Sequence, residues 1–171
     1  MKRRDPTFAL FLAILFLGGC GDSQPDNPNG EIGTVTYGRS TANLNWLGAE
    51  NRTDPALWLA EKEASAISPA SPEAVARIQK ALIDANNRFL ETPRMLANRT
   101  AQLSDMLARD GQKENYIDLI ESFSKVAEGS KGKLEYGDLC QFYFNLRHKG
   151  IDKAAAFALL GDKYQALIRK P

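Results

Sequence analysis

Between residues 54 and 167 apolar side chains return every third or fourth position with polar residues between them, the period of helices that bury one face. Three of these helices open on a capping residue followed by proline: Asp54-Pro55, Ser71-Pro72 and Thr92-Pro93. Proline is tolerated at a first helical position because the N–H it lacks would have no partner there. The first helix is expected to run to about Ala66. The second carries Val75, Ile78, Leu82, Ala85, Asn86 and Phe89 on one face and ends near Leu90. The third carries Leu96, Leu103, Met106 and Leu107 and stops at Asp110-Gly111. A fourth, with Tyr116, Leu119, Ile120, Phe123, Val126 and Ala127 inward, ends at Gly129. A fifth spans about Gly137 to Arg147 with Leu139, Phe142, Tyr143 and Leu146 inward, and Gly150 breaks it. Asp152 caps a sixth, with Ala156, Phe157, Leu160, Tyr164 and Leu167. The pattern predicts an all-α fold, a compact bundle of about six short helices joined as antiparallel hairpins. No repeat of the kind that builds a solenoid is present.

Upstream the pattern changes twice. Lys2, Arg3 and Arg4 precede an unbroken apolar run from Phe8 to Leu17, the order of an export signal. A helix of that length falls well short of the ~30 Å hydrocarbon core, so a permanent membrane span is not expected. Residues 21–33, GDSQPDNPNGEIG, are too polar and too rich in Gly, Pro, Asn and Asp to build a core, and read as a flexible tether. TVTY at 34–37 fits a short strand, and Trp46 in NLNWLG is expected to pack onto the domain. The layout is a cleaved signal peptide at 1–19, an anchor and tether at 20–33, and one helical domain at 34–171.

Leu17-Gly18-Gly19-Cys20 resembles the bacterial lipobox, in which a branched apolar residue and two small ones precede a cysteine. The resemblance implies diacylglyceryl transfer to the Cys20 sulfur, cleavage before Cys20, and acylation of the new amino group. Two or three acyl chains hold a protein stably, at ~0.8 kcal/mol per buried CH2. A membrane is therefore the expected partner of Cys20. Aspartate directly after the lipidated cysteine marks inner-membrane retention in enteric bacteria; here Gly21 takes that place and Asp22 follows. The expected location is the cell envelope, with the periplasmic face of the outer membrane favoured over the inner membrane.

Charge and cysteine usage narrow the chemistry. The full chain carries +1 at neutral pH. Loss of residues 1–19 takes Lys+Arg from 22 to 19 and Asp+Glu from 21 to 20, leaving −1. So balanced a domain is not a dedicated nucleic-acid binder. With Cys20 committed to lipid, Cys140 is the second of two cysteines and can form no internal disulfide. Its apolar neighbours in LCQFYF mark a buried, inert thiol. A nucleophilic pairing with His148 would need a base eight residues on, roughly 12 Å along a helix and beyond hydrogen-bond reach. One histidine and one spare cysteine make no zinc site, and no metal or cofactor is expected.

Residues 119–146 resemble an EF-hand stripped of its calcium. Leu119, Phe123 and Val126 precede the loop, Leu134 lies inside it, and Leu139, Phe142, Tyr143 and Leu146 follow. Gly132 stands at the turn glycine and Asp138 at the closing carboxylate. The first, third and fifth places hold Ala127, Gly129 and Lys131, which offer no oxygen ligands to a hard cation. The resemblance therefore implies a helix–loop–helix used for packing. Glu121-Ser122-Phe123 is similar to the start of the lytic transglycosylase site, which would make Glu121 a general acid acting on peptidoglycan. That role needs an apolar cleft to raise its pKa. The family's following glycine-alanine-glycine-leucine-methionine-glutamine run is absent.

Three smaller features complete the inventory. Asn51-Arg52-Thr53 and Asn98-Arg99-Thr100 fit a glycosylation sequon; the first is expected to help cap a helix and the second lies within one. Arg147, Lys149, Lys153, Lys163, Arg169 and Lys170 give the C-terminal part a basic excess that could touch anionic headgroups. In Phe142-Tyr143-Phe144 three consecutive aromatics cannot all face inward, and the helical wheel turns Phe144 out as a contact surface. A ligand cavity near Phe142 and Leu160 is a third possibility. Together these features point to a lipid-anchored interaction or scaffold protein, an accessory of an envelope, secretion or conjugation assembly with an envelope protein as partner. The peptidoglycan-acting enzyme built on Glu121 is the alternative.

Overall fold

A computed structural model describes residues 43–64 and 70–169. The leader, Cys20, the tether and the TVTY segment lie outside the described residues, as do the side chains from Leu167 onward. The six helices run in chain order as α1 (Pro55–Glu63), α2 (Pro72–Arg88), α3 (Pro93–Arg109), α4 (Tyr116–Val126), α5 (Tyr136–His148) and α6 (Lys153–Arg169). No strand pairs with another among the described residues, and the architecture is an all-α bundle.

The caps read from the sequence hold the N-termini. Asp54 accepts from the amides of Ala56 and Leu57, both at 2.9 Å. Ser71 accepts from Ala74, Thr92 from Met95 and Asp152 from Ala155. Asn115 serves α4 in the same way, accepting from Ile117 and Asp118. At the other ends Gly111, Gly129 and Gly150 take φ of 73°, 82° and 83°, a left-handed turn that favours glycine. The first helix ends at Glu63, short of the expected Ala66.

Two helix–loop–helix units, α2–α3 and α4–α5, meet loop to loop. Leu134 donates its amide to the Arg88 carbonyl and its carbonyl accepts from Leu90, both at 3.0 Å. Below this bridge an edge-to-face aromatic chain fills the centre: Phe89 on Tyr136 at 5.0 Å, Tyr136 on Phe123 at 5.2 Å, Phe123 on Tyr143 at 5.6 Å. Phe157 of α6 stacks on Tyr143 at 4.3 Å and closes the core.

The entry to the domain is pinned at its front. Asn98, buried in α3, accepts from the Leu47 amide at 2.8 Å and donates to the Leu47 carbonyl at 3.0 Å. The indole N–H of Trp58 donates to the Leu44 carbonyl, and the Arg94 guanidinium to that of Gly48. This corrects two expectations. Trp46 stays 45% exposed, because Leu47 beside it takes the buried place. Asn51 does not cap α1; its carboxamide oxygen accepts from the Gly48 amide, and Asp54 does the capping.

Candidate functional site

Glu121 lies on the exposed side of α4, in an open groove of about 440 Å3 between α4 and α2. The α2 wall presents Arg77, Lys80, Asp84 and Arg88, which recur along one helical face, with Ala81 beneath them. The α4 wall presents Glu121, Lys125 and Glu128, with Ser124 beneath. Lys80 pairs with Asp84 at 2.6 Å, one turn along the same helix. Among the described residues the side chains of Arg77, Arg88 and Lys125 have no hydrogen-bond or ion-pair partner. The Ser124 hydroxyl is buried and likewise unpartnered. Glu121 thus shares its groove with charged side chains of both helices.

The thiol of Cys140 is buried between α3 and α5, and burial pushes its pKa well up, with the Glu91 carboxylate adding to the effect. His148 faces elsewhere on the same helix. Its Nδ1 lies 2.7 Å from Asp110 Oδ2, and its ring stacks on Phe144. The structure does not bring Cys140 and His148 together. Phe144 is half-buried, packed against the core and lining a small crevice with Arg99, Gln102 and Met106, so it is less open than the wheel suggests. Leu160 is fully buried, and the ring of Phe142 lies 3.9 Å below the Lys163 ammonium.

In the loop between α4 and α5, Ala127 is buried while Gly129, Lys131 and Gly132 are exposed, and Asp138 sits exposed in the first turn of α5. Three of the basic residues of the C-terminal part have partners within the domain among the described residues. Arg147 Nε donates to Glu114 Oε1 at 3.1 Å, Lys153 lies 3.3 Å from Glu114 Oε2, and Lys163 covers Phe142. The Asn98 sequon is core, since Asn98 and Thr100 are both buried.

Two carboxylates with no sequence signature do structural work across the chain. Glu91, in the loop after α2, accepts from the amides of Tyr136 and Gly137 at 2.9 Å and so caps α5, which has no local side-chain cap. Glu114, buried before α4, accepts from the Tyr143 hydroxyl at 2.7 Å as well as from Arg147. Burial raises the Tyr143 pKa strongly, and the hydrogen bond to Glu114 adds to this.

Among the described residues the fold and groove define the class: a six-helix bundle with an open, charged groove between α2 and α4. The MoxZ family model matches residues 56–165, from the first turn of α1 into α6, and the chain belongs to that family. Neither the curated proteins nor the solved structures yield a match.

Proposed function

We propose that the chain is a lipid-anchored interaction protein of the bacterial envelope, facing the periplasm, with the outer membrane as its site. The observation that carries this reading is Leu17-Gly18-Gly19-Cys20, placed directly after an apolar run too short to span a bilayer. Two features of the domain support it. Among the described residues no helix is long and apolar enough to cross a membrane, and the proposed membrane contact is made by lipid on Cys20. The α2–α4 groove offers unpaired charge to a partner rather than an enclosed catalytic pocket.

The test is metabolic labelling with an alkyne fatty acid in cells expressing the full chain, followed by membrane fractionation. The wild type is expected to carry label and sediment with outer membranes; Cys20→Ser is expected to lose both label and sedimentation. An unlabelled wild-type chain would overturn the anchor. Lysis of peptidoglycan by the full chain, abolished in Glu121→Gln, would overturn the binding role.

A further inference from the structure

We infer that the α2–α4 groove is the docking site for an extended, carboxylate-bearing peptide segment of a partner protein. The inference rests on the reading of the chain as an interaction protein and names the chemistry of its partner. Three observations carry it.

The first is the state of the cations. Lys80 is occupied by Asp84 at 2.6 Å, but Arg77, Arg88 and Lys125 have no partner among the described residues. Glu121 and Glu128 line the same groove, yet none of the three closes an ion pair with them. A guanidinium presents a planar fork of donors that matches a carboxylate with two parallel hydrogen bonds, so an unoccupied pair of arginines on one groove wall is an acceptor-seeking surface.

The second is Ser124. Its side chain lines the groove and is 9% exposed, and its hydroxyl oxygen has no hydrogen-bond partner. The hydroxyl is closed off from the groove as it stands, so an occupant carrying a peptide or carboxylate oxygen would reach it by turning the serine side chain, offsetting the free energy that a buried hydroxyl without a partner costs.

The third is spacing. Arg77 and Arg88 are eleven residues apart on α2, about 16 Å of helix rise. In an extended peptide side chains alternate between faces, so two that meet the same wall are an even number of positions apart, and four positions span about 13 Å. The long arginine side chains reach across the remaining difference, so the occupant is a segment with two carboxylates four positions apart. Glu121 and Glu128 on the opposite wall select against a continuous acidic run and against a free polyanion, both of which they would repel.

The test is fluorescence anisotropy with the lipidated full chain in nonionic detergent and a labelled peptide carrying two glutamates separated by three serines. The same peptide with glutamines is the control. The glutamate peptide is expected to bind at least ~10-fold tighter than the control, and to weaken as salt is raised. Arg77→Gln and Arg88→Gln, substitutions on exposed or half-buried positions, are each expected to weaken it several-fold. Ser124→Ala is expected to weaken it less, and Glu121→Gln to strengthen it. Equal binding of both peptides, or binding unchanged in Arg77→Gln with Arg88→Gln combined, would overturn the assignment. So would displacement of the peptide by millimolar inorganic phosphate, which would make this a site for free anions. Partner adducts in cells that come only from surfaces outside the groove would leave the interaction reading standing while the groove fell. Absence of adducts from every surface would remove both.

Discussion

The α3–α5 face and the α2–α4 face are both made of two helices flanking the same loop-to-loop bridge, but they differ in how much of their polar chemistry is internal. Along α3 and α5 several polar side chains are spent inside the molecule, although Arg99 and Gln102 line the crevice beside Phe144 and Gln112 Oε1 is buried without a partner among the described residues. Glu91 caps α5, Thr100 bonds the Tyr136 hydroxyl at 2.8 Å, and Glu114 gathers Tyr143, Arg147 and Lys153 at the other end. Along α2 and α4 three cations and one buried hydroxyl are left unpartnered above a floor of Ala81 and Ser124. A charge that costs nothing in water contributes little to folding, so its placement beside other unpaired groups is not explained by stability. Both helix pairs bury apolar residues; the α3–α5 face adds these polar bonds and is the more sealed, and the α2–α4 face is the more open.

Breaking the sealed face should have the largest effect. Glu114→Ala leaves the Arg147 guanidinium and the Tyr143 hydroxyl without their buried acceptor, and urea unfolding should show a loss of about 3–5 kcal/mol. Alkaline titration should come next. Burial raises the pKa of Tyr116 to about 12 and also raises those of Tyr136, Tyr143, Tyr164 and Cys140. The unfolded chain releases these protons first, so stability is fully present below about pH 9 and falls as pH climbs from 10 to 12. Thermal melts with tyrosinate absorbance should follow that fall. Glu91→Ala removes the long-range cap of α5 and should cost about 1–2 kcal/mol in the same urea assay. On the open face, Lys80→Ala breaks only an exposed pair and should leave the melting temperature unchanged within scatter. A substantial loss there would erase the contrast between the faces.

The helices were legible because their signals are local. A cap with proline behind it, a 3–4 apolar period and a glycine stop each act within one or two turns, and α1, α2, α3 and α6 begin where the expected capping residues stand. What joins the helices was not legible. Glu91 reaches Tyr136 across 45 residues and Asn98 reaches Leu47 across 51, and no period relates such partners. Glu63 on α1 similarly accepts from the Tyr116 amide at the start of α4. The basic excess near the C-terminus shows the same limit. Composition counts Arg147, Lys153 and Lys163, but only packing shows that they are committed to Glu114 and Phe142. Glu121 could be placed on a helix by its spacing; its charged neighbours come largely from α2, more than thirty residues earlier.

The most direct test of the account is photo-crosslinking in intact cells, with a crosslinking amino acid at Lys80 in the groove or at Gln141 on exposed α5, in wild-type and Cys20→Ser backgrounds. A discrete envelope-protein adduct from Lys80 alone, lost in Cys20→Ser, is the predicted result. Adducts from Gln141 but not Lys80, or adducts equally strong without Cys20, would contradict it.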